Sequence, residues 1–190
     1  MPDPRPEVMD FLLTRRSRPA KTLGDGGPDR EGLMRLLTAA ARSPDHGKLE
    51  PWRFVVIEGA SRDRAAALAA ERCAALDLDE AARAKTVSAF TQGAVIVAVI
   101  SSPKPPDKIP LWEQHLSAGA VCLALLNAAL ASGWGANWLT GKMAYDSVFR
   151  RDVLGCREGE SVAGFIHIGS ETVTPQDRPR PDVATLTSWL

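Results

Sequence analysis

The sequence predicts an α+β fold: helices around one central mixed or antiparallel sheet, in a single domain over residues 1–190. Three observations carry this. Residues 53–58 (RFVVIE) and 94–100 (AVIVAVI) read as strands, the second a continuous β-branched run of the kind covered on both faces. Residues 30–42 place Leu33, Leu36, Leu37, Ala40 and Ala41 at helical intervals, so one face of that helix is buried. A chain of 190 residues, 45% hydrophobic and 24% charged, has the size and composition of one full core.

The elements follow in order. A first helix runs over 5–16 and ends in Arg15-Arg16. Asp29, after Pro28, caps the second helix, 30–42, and Pro44 terminates it. After the first strand, residues 61–90 are an Ala- and charge-rich helix, broken near Leu76–Asp79. The second strand leads into a Pro-rich loop, 101–110, and a long helix, 111–132. Residues 133–141 (GWGANWLTG) are a Gly-rich turn into a short strand. Residues 144–154 form a further amphipathic helix, and 161–170 (SVAGFIHIGS) the last strand. The arm 171–190 carries Pro175, Pro179 and Pro181 yet ends LTSWL. A polar, Pro-rich arm with an apolar tip reads as a segment that packs on a neighbouring chain.

Composition excludes several classes. Lys plus Arg equals Asp plus Glu, at 23 each, which argues against a nucleic-acid binder driven by counterion release. The cysteines are Cys73, Cys122 and Cys156, an odd number with no CxxC pair. A disulfide framework or zinc site is not expected, and a reducing cytoplasm fits. The first 21 residues hold no apolar core of signal-peptide length and include acidic residues, so no leader is expected. Residues 116–136 lack charge but are rich in Ala, Gly and Ser and include Asn127. They read as a helix buried all round in a core or a dimer rather than a membrane span.

Several chemistries also fail. His46, His115 and His167 are scattered, and Glu113 and His115 are two apart, on different faces of a helix. No metal is expected. There is no G-x-S-x-G, no Walker loop and no G-x-G-x-x-G after a strand. What remains suits an anion plus a flat ring. Arg15, Arg16 and Ser17 form a helix-end cluster able to bind phosphate, or else a solvated basic helix end. Arg42, ending the second helix, has the same two readings. Residues 43–54 (SPDHGKLEPWRF) set a titratable ring, a charge and a large aromatic in one short loop, an unusual composition for a plain connector. There His46 either hydrogen-bonds its own loop or faces a ligand, and Trp52 reads as core. Trp138 and Thr140 lie between Gly135 and Gly141, which permit close backbone approach or simply a tight turn. Cys156 has no base nearby and reads as a small buried residue.

Taken together, four segments resemble the nitroreductase family of FMN-dependent oxidoreductases: RRS at 15–17, AARSPDHGKLEPWRFVVIEG at 40–59, WEQHLSAGAVCLALLNAALASGWGANWLTG at 112–141, and VAGFIHIGS at 162–170. Their order and spacing together are more specific than any one of them. Glu50 stands where the family's Pro-Trp loop carries Gln.

The resemblance implies a nitroreductase-like homodimer with FMN at the subunit interface, touched by both chains. It implies that Arg15, Arg16 and Ser17 hold the phosphate and polar edge of FMN. Trp138, Leu139 and Thr140 would line the ring in the same subunit, and Arg42 and His46 would reach the flavin of the other. NAD(P)H would reduce the flavin at N5, and an organic acceptor such as a nitroaromatic or quinone would take the electrons, in ping-pong order. The flavin carries the chemistry, so no catalytic side chain is required. The family's basic residue two places after the Ser falls on Pro19 here, leaving Arg18 or Lys21 as the substitute cation. Arg178 and Arg180 are further phosphate candidates. Two other readings share the sequence: a flavin-binding sensor or storage protein without useful turnover, and a cofactor-free dimerisation module.

Overall fold

The computed structural model describes residues 3–105 and 109–190, so part of the Pro-rich loop expected at 101–110 lies outside the described residues. Five strands form one sheet: β1 (Leu23–Gly24), β2 (Trp52–Glu58), β3 (Val95–Ser101), β4 (Gly135–Leu139) and β5 (Ser161–Glu171). The spatial order is β1-β5-β3-β2, with β4 also paired to β5. Every pairing is antiparallel, which narrows the mixed-or-antiparallel expectation. All seven residues of β3 are buried, as its β-branched run requires for a strand covered on both faces.

The helices cover the two faces unequally. On one face α2 (Arg30–Ala40) and α5 (Leu111–Ala131) bury Leu33, Leu36, Val121 and Leu125 against Val97, Val99, Ile166 and Ile168. On the other, α3 (Ala60–Ala75), α6 (Lys142–Tyr145) and α7 (Ser147–Asp152) bury Ala65, Cys73, Met143 and Phe149 against Ile96, Ala98 and Phe165. Between α3 and β3 lies α4 (Glu80–Ser88), capped by Asp79, whose carboxylate accepts the Ala82 N–H at 2.7 Å.

Local chemistry moves several boundaries. The first helix, α1, spans Pro6–Thr14 rather than 5–16, and Arg15 turns extended. Asp29 caps α2 as expected, through the Gly32 N–H at 2.7 Å. That helix stops at Ala40, and a tight turn over 41–43 precedes Pro44. The helix expected at 144–154 is two short ones. Asp146, extended at φ −72° and ψ 119°, breaks the run, caps α7 through the Phe149 N–H at 2.7 Å, and is gripped by Arg72 at 3.1 Å. The two-residue β1 is too short to carry any periodicity.

The long apolar helix departs most. By length and composition α5 is able to cross a membrane, yet here it packs on the sheet through one face. The core of a single chain does not bury it all round: Leu111, Trp112, Leu116 and Leu123 stand exposed. No residue of α1 is buried, and its Val8, Met9, Leu12 and Leu13 are exposed as well. Cys73, Cys122 and Cys156 are all free; burial pushes the Cys122 thiol up to about 12.

Arg53 ties β2 to the turn before β5. Its guanidinium grips the buried Glu160 carboxylate in two bonds, at 2.9 and 2.7 Å, and also donates to the Gly155 carbonyl at 2.9 Å. Arg53 first, then the Arg157 N–H, hold the Glu160 carboxyl down at about 2 against the opposing cost of burial. The folded value lies below the ordinary 4.5, so this stabilisation is complete above that pH and is lost as pH falls from 4.5 toward 2. Glu160→Gln should therefore cost roughly 1–3 kcal/mol at neutral pH and flatten that acid limb, measured by urea unfolding across pH. An unchanged limb would place the acid sensitivity elsewhere.

Candidate functional site

Where α1 ends, Arg15, Arg16 and Ser17 leave the helix, and Arg18 after them lies beside β4. The Arg18 N–H donates to the Ala136 carbonyl at 2.8 Å, and the Asn137 amide donates to the Arg18 carbonyl at 2.8 Å. Arg15 Nη2 donates to Ser17 Oγ at 2.8 Å, while Arg15 Nε is buried with no partner. The C-terminal arm returns to this corner. Arg16 Nε donates to the Gln176 carbonyl at 3.3 Å, and Arg180 pairs with Asp177 at 2.8 Å. Burial first, then Arg180, Arg16, Arg178 and Arg18, lower the Arg15 pKa. Among the described residues these five guanidiniums share two paired carboxylates, Asp177 and Glu171. A cationic corner with an orphaned buried N–H suits a phosphate better than a structural role.

Next to this corner in the chain, Pro19, Ala20 and Lys21 enter the wall of a cavity of about 1020 Å³. Its other walls are α4 with the turn after it, the end of β4, α6, and β5. Phe90, Met143 and Phe165 make it apolar, and Lys21 and Lys85 bring cations to it. Asn137 and His167, cross-strand partners on β4 and β5, add polar groups. A large, mostly apolar chamber with a few polar groups is the form of a site for a flat heteroaromatic ring.

The residues singled out in the sequence do not all come together. Arg15, Arg16 and Ser17 sit together at the cationic corner. Leu139 and Thr140 line the cavity. Trp138 does not: strand alternation turns its side chain to the other face of the sheet, over Gly164, where a Cβ would strike the indole. Arg42 and His46 also lie outside the cavity lining. Arg42 borders a smaller hollow of about 340 Å³ with Ser43, Leu123 and Asn127. His46 Nδ1 lies 2.7 Å from Glu113 Oε2 on α5, and both Arg42 and His46 are exposed.

The loop at 43–54 is held tightly. Trp52, half-buried and packed against the edge of the core, donates its Nε1–H to Ser117 Oγ at 3.2 Å, and that hydroxyl donates to the Pro44 carbonyl at 2.9 Å. Asp45 accepts the Leu49 N–H at 2.6 Å. Lys48 at φ 55° and Glu50 at φ 47° take left-handed backbone conformations that side chains rarely adopt. Such strain clusters where a loop's shape is used.

Sequence reasoning missed Lys85, Asn137 and His167. The cavity brings together α4, β4 and β5, which are far apart in the chain, so no spacing betrays Lys85. His167 did leave a trace, as a titratable ring set between two isoleucines in the apolar middle of a strand. Arg18, a candidate cation, is instead held by Glu171 at 2.5 Å, while Lys21 reaches the cavity.

An α+β chain with an antiparallel sheet, a cationic corner and a mixed cavity belongs to a defined class. The nitroreductase family profile matches residues 12–170, and the chain belongs to that family. It is 35% identical over 170 residues to the "Putative NAD(P)H nitroreductase YdjA" of Escherichia coli (strain K12), covering 90% of this chain and 89% of that one. Among solved structures it resembles a nitroreductase-like family protein from Bacillus cereus, with a TM-score of 0.80 at 22% identity over 96% of this chain and 95% of that one. A "putative nitroreductase in complex with FMN" from Desulfovibrio desulfuricans superposes with a TM-score of 0.74 at 21% identity, over 96% of each chain.

Burial, with Arg62 as a like charge nearby, pushes the His167 imidazole down from 6.5 to about 4. The unfolded chain therefore binds this proton at a higher pH than the folded one, and stability falls as pH drops from 6.5 toward 4. His167→Gln should remove that part of the slope, read from urea unfolding at closely spaced pH values. A slope retained in full would assign it to another group.

Proposed function

We propose that this chain is an FMN-dependent NAD(P)H oxidoreductase that reduces a small organic acceptor such as a nitroaromatic or a quinone. The observation that carries the reading is the cationic corner with its orphaned Arg15 Nε, next in the chain to residues lining a cavity of about 1020 Å³. Phosphate and ring of one FMN suit the two parts. The relatives' descriptions, an NAD(P)H nitroreductase and a nitroreductase in complex with FMN, support the same choice.

In this reading Arg15, Arg16 and Ser17 hold the phosphate, and Arg178 and Arg180 join them from the arm. Leu139 and Thr140 line the ring. Trp138 contributes through its main chain and braces β4 from behind, against Gly164. Lys21 and Lys85 bring positive charge to the cavity, whereas Arg18 is engaged by Glu171. FMN, when bound, supplies the redox chemistry, taking electrons from NAD(P)H and passing them to the acceptor in alternate turns. The protein orients the ring, excludes water and stabilises negative charge.

The working unit in this reading is a homodimer. The exposed apolar faces of α1 and α5 then meet a second copy, and Arg42 and His46 reach that copy's flavin. The arm 171–190 belongs to the same single domain and lays Leu186, Trp189 and Leu190, all exposed in the protomer, on the partner. Three free cysteines fit a cytoplasmic setting.

The visible absorption spectrum of the purified protein, with and without added FMN, tests this. Flavin bands that survive desalting and bleach on anaerobic NAD(P)H support it, and reoxidation by a quinone separates an enzyme from a sensor. A protein that stays colourless after FMN addition refutes it. Arg15→Ala should weaken FMN binding by roughly 1.5–3 kcal/mol, tenfold or more, and leave the fold intact. Titration by flavin fluorescence checks this, and an unchanged affinity would remove Arg15 from the phosphate site.

A further inference from the structure

His167 has no packing reason to be a histidine. It lies on β5 between Ile166 and Ile168, two fully buried apolar residues, and is itself 1% exposed. Its register partners are Ile96 on β3 and Asn137 on β4. An isoleucine or leucine would fill the position without removing a polar ring from water. The imidazole is instead buried with Nδ1 unpartnered. Its polar surroundings are the Gln92 main chain and, as a like charge, the Arg62 guanidinium. Buried side-chain nitrogens in folded proteins nearly always have a partner, so an orphan calls for a reason.

The cavity supplies one. His167, Gln92 and Asn137 all line it, among the apolar side chains of Phe90 and Phe165. We propose that His167 is a ligand-binding residue: its imidazole hydrogen-bonds the amide-like pyrimidine edge of the ring system that occupies the cavity. That edge carries an N–H between two C=O groups, and with one ring nitrogen turned to the Gln92 main chain the neutral imidazole keeps Nδ1 as an acceptor for that N–H. A charged group would suit it less in so dry a wall, and an aliphatic one could not read the edge at all. The inference rests on the reading of the cavity as an FMN site. It adds a cavity-wall residue on β5, apart from the phosphate corner.

The test uses the whole protein with ring-15N-labelled histidine and FMN as the probe. Adding FMN should shift the ring nitrogens of His167, assigned by their loss in His167→Gln. His167→Phe should raise the FMN Kd about tenfold, the value of one hydrogen bond, by fluorescence titration. His167→Gln, which keeps a donor and an acceptor, should stay within about threefold of the wild type. It also stands in should the Phe variant fail to fold. FMN that binds the wild type while the His167 resonances stay still overturns this inference alone, as does a folded Phe variant of unchanged affinity. A wild-type protein that binds no FMN refutes the underlying reading, and this inference with it.

Discussion

β5 pairs with β1, β3 and β4, and its partners include both the fully buried β3 and the strand that ends at the cavity. Antiparallel pairing on β5 fixes which side chains share a face. Phe165 and His167 face the cavity, while Ile166 and Ile168 face α2 and α5. A one-residue slip would exchange the two sets and bury the wrong groups on each side. Close approach at the sheet's crowded end demands glycine: a Cβ on Gly169 would strike the Gly24 carbonyl.

A second constraint is electrostatic. Arg15, Arg16, Arg18, Arg178 and Arg180 gather at one corner although two segments at opposite ends of the chain supply them. Like charges at such a density weaken the folded state unless something answers them. Asp177 and Glu171 answer part. A bound phosphate would answer the rest, so cofactor affinity and the order of the arm are coupled in the proposed reading.

The unpartnered faces of α1 and α5 complete the picture. Leu12, Leu13, Trp112 and Leu116 lie on helices that otherwise belong to a well-packed molecule. The strained loop at 43–54 is pinned to α5 through Trp52 and Ser117, and His46 through Glu113. In the proposed reading, a second copy seated on α5 would meet Arg42 and His46 beside it.

Much of this was legible in the chain. The period of Leu33, Leu36, Leu37 and Ala40 gave α2, the β-branched run gave β3, and Asp29 marked a helix start, because these signals are local. The motif segments at 15–17, 40–59, 112–141 and 162–170 disclosed the family for the same reason: each is contiguous. Local pattern and motif sufficed for the class of fold, for the order of the longer elements and for setting Arg15, Arg16 and Ser17 together at a helix end. The folded arrangement was needed to show that Trp138 faces away from the cavity, that Arg18 is taken by Glu171, that the arm's arginines lie near Arg15, and that Lys85 and His167 line one chamber. Those are contacts between residues far apart in sequence. They follow from strand register and from chain ends meeting in space, and no local period encodes either.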